Sequence, residues 1–305
     1  MPTAAQNVVT GAFGYTGKYI TRRLLALGQT VKTLTGHPRR DSPFGDRVSV
    51  APFDFEQPDR LVASLRGAQT LFNTYWVRFC YKSVTFQQAV ANTRRLIAAA
   101  EQAGVRRLVH VSITNPSRDS PLPYFRGKAE LEDAIRKSRP SHAIIRPTVV
   151  FGQEDILINN IAWLLRRFPV FALPGQGDYR LQPVFVEDLA QIAVDAAGRD
   201  DNIVMDAVGP ETYTFAELVR LIADAIGKRV VLVRAPRRLA LLVSRLIGYV
   251  TEDVVLTRDE LEGLMTNLLV SNEPPTGPTR LSGWLREHAA SVGRAYASEL
   301  ERHYR

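Results

Sequence analysis

Gly11-x-x-Gly14-x-x-Gly17 stands directly between the apolar run Val8-Val9-Thr10 and a helical-period stretch beginning near Lys18. Glycines at this spacing, where a strand hands over to a helix, restrict the chain to few architectures. The first allows a tight turn, the second lets the backbone approach a ligand, and the third lets the helix close on the strand. The N-terminal half repeats the same alternation. Short apolar runs at residues 7–10, 30–35, 70–73, 107–112 and 142–151 alternate with helical patterns at 17–27, 61–65, 85–103 and 129–137. Gly28 and Gly104 each close a helical stretch before the next apolar run.

The order reads βαβαβαβαβαβ, which predicts an α/β fold: a doubly wound parallel sheet of the Rossmann type. With 305 residues and 45% hydrophobic content, the chain has material for one large domain or two unequal ones. The alternation loosens after Phe151-Gly152. We therefore expect a dinucleotide-binding domain over residues 1–152, and a mixed region over 153–305 that completes the sheet and forms a smaller substrate-side subdomain.

In such a sheet the first strand-to-helix turn presents a helix N-terminus to an anion, so residues 11–17, with Phe13, Tyr15 and Thr16 between the glycines, form a candidate pyrophosphate cradle. The bound molecule would be a nicotinamide dinucleotide. An NAD site usually carries a carboxylate about 20 residues on, for the ribose hydroxyl. Here the second strand runs out into Gly36-His37-Pro38-Arg39-Arg40, with no acid before Asp41. Arg39 and Arg40 lean the expectation toward NADP, with NAD still open. Asp54-Phe55 closes a third strand, where adenine would sit.

Strand 107–112 delivers Ser112 and, two residues on, Thr114 to the carboxyl edge of the sheet. Tyr124-Phe125-Arg126-Gly127-Lys128 then opens a helix, placing Tyr124 and Lys128 on one face. A phenol is a poor proton donor or acceptor at neutral pH, and an adjacent ammonium brings it toward range. We expect Tyr124 as acid/base, Lys128 as its electrostatic and ribose-binding partner, and Ser112, or Thr114, as the anchor for a substrate oxygen.

Thr10-Gly11-x-x-Gly14-x-x-Gly17, Ser112, Tyr124-x-x-x-Lys128, the run from Arg146 through Pro147, Thr148, Val149 and Phe151 to Gly152, and Pro183-Val184-Phe185-Val186-Glu187-Asp188-Leu189-Ala190 together resemble the extended and atypical short-chain dehydrogenase/reductase superfamily, up to about Ala197. Within it, the likeness is to the branch around the nucleotide-binding accessory subunit of respiratory complex I and its free-standing bacterial relatives, the NAD-dependent epimerase/dehydratase-like proteins. The resemblance implies cofactor contacts at Asn73, Thr74, Tyr75, Val111, Pro147, Thr148 and Val149. Extended members commonly separate the serine from the tyrosine by a longer loop, and many NADP-binding atypical relatives carry an arginine where this chain has Gly36.

Trp76, Thr114, Phe151 and Arg180 are candidates for the substrate end, with Phe79, Trp163 and Gln182 beside them, and each also fits a packing or rim position. The reading is an NAD(P)-dependent oxidoreductase or epimerase-like enzyme acting on a small carbonyl, alcohol or quinone-like compound. The alternative is a non-catalytic NADP(H)-binding regulator or assembly component.

The net charge of +8 is scattered and comes without a nucleic-acid-binding signature, so no nucleic-acid partner is expected. Cys80 is the lone cysteine, which excludes a disulfide framework and a thiolate metal site; no metal is expected. The N-terminus lacks the pattern of an export signal, predicting a cytoplasmic protein. Residues 236–250 (PRRLALLVSRLIGYV) form a helix too short to cross a bilayer. Burial against the sheet is the favoured placement, with a weak peripheral membrane contact as the other. Oligomeric state cannot be read from the sequence.

Overall fold

The computed structural model describes residues 6–36 and 42–303. In chain order the elements are β1 (Gln6–Thr10), α1 (Tyr15–Ala26), β2 (Thr30–Thr35), β3 (Val48–Pro52), α2 (Pro58–Leu65), β4 (Thr70–Asn73), α3 (Phe86–Gln102), β5 (Arg107–Val111), α4 (Pro123–Arg136) and β6 (Ser141–Pro147). Then follow β7 (Val150–Phe151), α5 (Leu157–Arg167), β8 (Val170–Pro174), β9 (Arg180–Leu181), β10 (Val184–Phe185), α6 (Val186–Ala197), β11 (Ile203–Ala207) and β12 (Tyr213–Thr214). The chain ends with α7 (Phe215–Ala225), β13 (Val231–Ala235), α8 (Arg237–Thr251), α9 (Arg258–Met265), α10 (Leu281–His288) and α11 (Glu299–His303).

The chain divides into two compact units, residues 1–147 with 189–206, and residues 148–188 with 207–305. The first is built on a seven-stranded sheet ordered β11-β6-β5-β4-β1-β2-β3. The pairs from β3 through β6 are all parallel. The strand order reverses between β1 and β4, and the carboxyl ends of those two strands open the crevice in which doubly wound sheets bind ligands. Val8, Leu34, Leu71, Leu108 and Ile144 from the strands pack with Leu61, Leu65, Leu96 and Ile135 from the helices. These central strands read as near-continuous apolar runs because both sheet faces are covered.

The structure departs from the sequence pattern at three points. No α-helix crosses from β2 to β3 among the described residues, only a short turn over Gly45–Arg47. Pro43 and Gly45, at φ +57°, cannot continue a helix there. The run at 142–151 is two strands, because Pro147 cannot donate to a ladder and ends β6. The first unit ends at Pro147, short of 152, and recovers 189–206, which supply most of α6 and its outermost strand.

The second unit holds its own core of Phe151, Ile158, Leu165, Leu218, Ile222, Trp284 and Leu285. Two-stranded pairings β10-β7, β12-β9 and β13-β8 bind it together. The Asp188 carboxylate accepts from the Thr279 amide and hydroxyl at 2.8 and 2.9 Å, fixing the loop before α10.

Candidate active site

Gly11 takes φ +66°, a left-handed conformation that strains any other residue. A Cβ on Gly17 would collide with the Gly11 carbonyl, lying 2.8 Å from its carbon. The turn is closed by Gly14 N–H donating to Gly11 O, and tied to the sheet by Gly11 N–H donating to Leu34 O, both at 2.9 Å. Gly14 is the N-cap of α1 and offers no side-chain oxygen to the first-turn amides, and no acid lies in that turn. The helix thus turns an uncapped positive end, with no acid beside it, to the loop, the chemistry a pyrophosphate requires. Phe13, Tyr15 and Thr16 are half-buried around this turn.

Thr10 stitches the two strands at the reversal point. Its hydroxyl accepts from the amides of Thr74 and Tyr75 at 2.8 and 3.1 Å, while Thr74 Oγ1 donates to Thr10 O at 2.5 Å. Asn73 is fully buried: its Oδ1 accepts from Tyr75 N–H at 3.1 Å and its Nδ2 meets His110 Nδ1 at 3.0 Å. Its side chain therefore braces the crevice from behind.

Beyond the β2 and β3 ends lies a cavity of about 440 Å³, lined by Thr35, Gly36, Phe53, Asp54, Phe55, Gln88 and Asn92 among others. Two of its lining residues are aromatic: Phe53 and Phe55 have ring centroids 4.3 Å apart, and Tyr75 packs against them at 5.2 and 5.4 Å. Asn92 Nδ2 donates to Tyr75 Oη at 3.1 Å, and burial pushes that phenol's pKa up. Asp54 holds the Glu56 amide at 3.0 Å. The dimensions and flat aromatic faces suit an adenosine. His37, Arg39 and Arg40 lie outside the described residues.

On α4, Tyr124 and Lys128 share one face, and Trp76 lies against both. The Trp76 ring is 5.6 Å from that of Tyr124, and Lys128 Nζ lies 4.5 Å from its centroid. Gly127 leaves room for this ring, since a Cβ there would come within 3.0 Å of it. Lys128 is 2% exposed and donates to the Val111 carbonyl at 2.8 Å. Burial lowers its pKa to about 7, with Glu132 opposing.

Ser112 is 3% exposed and donates to Glu132 Oε1 at 2.7 Å. That carboxylate also receives Arg146 Nη2 at 2.5 Å and Arg136 Nη2 at 2.9 Å. Thr114 is fully buried, two residues along, and its amide donates to Pro147 O at 3.0 Å. Glu132 is the side chain that sequence reasoning missed. Its signal was present, since Tyr124, Lys128 and Glu132 fall four apart on one helix face.

Phe79 is buried in the first unit and Pro147 ends it; the other candidates belong to the second unit, and several are structural. Phe151 is fully buried, 5.4 Å from Phe185 and 5.5 Å from Trp284. It is a core residue, so the expectation that it lines a substrate pocket is corrected. Thr148 Oγ1 donates to the Gln182 carbonyl, and Val149 O accepts from Val184 N–H at 2.8 Å. Gln182 spans Gly209 O and Ser271 N–H at 3.0 and 3.1 Å. Arg180 is exposed on β9, and its amide donates to Asn267 Oδ1 at 2.7 Å. Among the described residues no cluster of metal-ligating side chains occurs.

Comparison with known proteins bears on the family and the fold. The NmrA-like family profile matches residues 5–266. A mitochondrial NADH dehydrogenase [ubiquinone] 1 alpha subcomplex subunit 9 from Arabidopsis thaliana is 28% identical over 284 residues, covering 87% of this chain and 70% of that one. A ceramide reductase from Caulobacter vibrioides is also 28% identical, over 77% of this chain and 76% of its own. Among solved structures, the NADPH-dependent quinone oxidoreductase of Escherichia coli complexed with NADPH superposes with a TM-score of 0.75 at 19% identity, over 93% of this chain and 98% of that one.

Proposed function

This chain belongs to the NmrA-like family, and from that premise we propose that it is an NAD(P)H-dependent oxidoreductase acting on a small carbonyl or quinone-like compound. The observation that carries the reading is Lys128: an ammonium fully buried one helical turn from Tyr124, with its pKa at about 7.

The cradle at residues 11–17 fits a pyrophosphate, and the cavity bounded by Phe53, Asp54 and Phe55 fits the adenosine half. Thr74, Tyr75 and the Val111 edge would flank the nicotinamide ribose. When bound, the nicotinamide supplies or accepts the hydride. The protein's own share is the proton. The Tyr124 phenol lies on the same helix face as Lys128, whose positive charge, where present, favours the phenolate and makes proton exchange with a substrate oxygen feasible near neutrality. Trp76 covers the lysine with an apolar face and keeps water from it.

Ser112 enters this reading as a positioning residue, since its hydroxyl is committed to Glu132. Thr114, two residues on and fully buried, is the alternative for the substrate-oxygen anchor. Tyr124→Phe should lower turnover about a thousandfold while leaving NADPH affinity within about twofold. Full activity in that variant on an identified substrate would overturn the assignment. The cofactor itself is tested by fluorescence titration with NADPH and NADH. We expect NADPH to bind more tightly, and an Arg39→Ala, Arg40→Ala variant to lose about tenfold, or ~1.4 kcal/mol, of that preference.

A second reading, a cofactor-binding component without turnover, draws on the Trp76 ring lying directly over Lys128. It predicts tight NADPH binding and no substrate-dependent oxidation of the cofactor.

A further inference from the structure

Helix α8 is turned inside out relative to an ordinary surface helix. The residues it buries are small, Ala240, Ser244 and Gly248, and a Cβ on Gly248 would lie 2.5 Å from the Asp253 carbonyl oxygen. Six of its large apolar side chains, Leu239, Leu242, Val243, Leu246, Tyr249 and Val250, fall at i, i+3, i+4, i+7, i+10 and i+11 and are exposed, Tyr249 at 87% and Val250 at 80%, while Leu241 and Ile247 are half-buried. This is one continuous helical stripe facing solvent, where soluble proteins place charge. Val231 and Val233, on β13 just before it, are exposed at 61% and 46%.

The segment that carries this stripe is basic. Residues 226–251 contain Lys228, Arg229, Arg234, Arg237, Arg238 and Arg245 and no Asp or Glu. The next acids are Glu252 and Asp253, and Asp253 is turned inward, accepting from Tyr296 Oη and from the Glu299 and Leu300 amides. Fifteen residues of α8 span about 22 Å, too short for a hydrocarbon core of about 30 Å. Among the described residues no helix is long and apolar enough to cross a membrane.

We propose that α8 lies flat in the surface of an anionic lipid bilayer, its Leu/Val/Tyr stripe at the headgroup–acyl boundary and its arginines on lipid phosphates. Charge complementarity selects this occupant. Two copies of α8 laid face to face would set arginine against arginine with only Glu252, at the helix end, to offset them, whereas an anionic bilayer satisfies the apolar stripe and the arginines together. A partner protein would need its own apolar groove bordered by acids. The placement is independent of whether the enzyme reading above holds.

The test is co-sedimentation of the full chain with phosphatidylcholine vesicles containing about one third phosphatidylglycerol, against phosphatidylcholine alone. We expect at least about tenfold more binding to the anionic vesicles, largely lost at ~0.5 M salt. Leu242→Gln with Leu246→Gln, both exposed and helix-compatible, should cut it about tenfold with unchanged circular dichroism, as should Arg238→Glu with Arg245→Glu. Leu27→Ser, an exposed apolar change in the other unit, should leave it unchanged. The proposal is overturned if the wild type stays in solution at low salt, or if the glutamine variant sediments as well as the wild type. It is equally overturned if the wild type forms a salt-resistant dimer that the glutamine variant abolishes, which would make the occupant a second copy.

Discussion

Gly17 sits on the inner side of α1 with no space for a side chain, because its Cβ position is already filled by the Gly11 carbonyl. Gly17→Ala must therefore push the first turn of α1 off the end of β1 or twist the turn that feeds it. We expect NADPH affinity to fall at least about tenfold and stability by about 2 kcal/mol, read by fluorescence titration and urea denaturation. Lys128 differs in kind. Its cost is electrical: a buried ammonium compensated by one carbonyl at 2.8 Å, the face of Trp76 and the charge of Glu132. Because burial holds its pKa at about 7 against 10.5 when unfolded, the unfolded chain binds the extra proton between those values. Stability from this residue thus rises as pH climbs from about 7 to 10.5, and is lost as pH falls through 7. Lys128→Met should be more stable than the wild type at pH 6, and the gap in Tm should shrink by pH 10. A gap that stays constant across that range would show that burial of the charge is not what the lysine costs.

At the scale of elements, α4 does two jobs from one face. Its first turns carry Tyr124 and Lys128, and one turn further Glu132 joins a network with Ser112, Arg146 and Arg136. Glu132 is 1% exposed, so Glu132→Gln leaves both guanidinium groups facing a neutral amide. The arginines are partly solvated, and we expect a loss of about 2 kcal/mol in urea denaturation, less than a fully buried pair would cost. Helix α7 has a capping box, the Thr214 hydroxyl accepting from the Glu217 amide while Glu217 Oε2 accepts from Thr214 N–H at 2.8 Å. Thr214→Ala should cost about 1 kcal/mol without affecting cofactor binding. For α8 the sequence pattern favours burial against the sheet. A single sequence shows an apolar stripe and a small-residue stripe on one helix, and size alone suggests that the larger one goes inside. The structure buries the smaller.

At the scale of the whole molecule, a second buried ionisable group joins Lys128. Asp155, in the second unit, is fully buried and its pKa is raised to about 7 by desolvation, against the pull of the Ile158, Gly152 and Asn159 donors. Its raised pKa acts with the opposite slope. Its contribution is fully present below the unfolded value of 3.8 and is lost as pH rises to about 7. Near neutrality, then, both groups weigh against the folded state: the cost of Asp155 builds as pH rises from 3.8 to about 7 and is constant above, and that of Lys128 builds as pH falls from 10.5 to about 7 and is constant below. Asp155→Asn should flatten the fall in Tm between pH 4 and pH 7 that this group contributes in the wild type, as followed by thermal melts. An unchanged profile would remove Asp155 from the account.

The chain's local pattern determined the sheet's architecture, the turn at residues 11–17 and the Tyr124–Lys128 face. In each case the relevant physics spans a few residues: glycine backbone freedom, alternation of apolar runs, and helical spacing. It also contained the Glu132 signal, one turn further along α4. What only the tertiary structure decided is set by contacts between residues far apart in sequence. Phe151 follows a motif that reads as a site, yet Phe185 and Trp284 close over it and make it core. Ser112 stands at the strand end where an oxygen anchor belongs, yet Glu132, twenty residues on, takes its hydroxyl. The stripe of α8 that meets protein was likewise a matter of fit, because Gly248 can approach the Asp253 carbonyl where a leucine could not. Spacing establishes which side chains share a face; only packing partners settle whether that face meets protein, ligand or lipid.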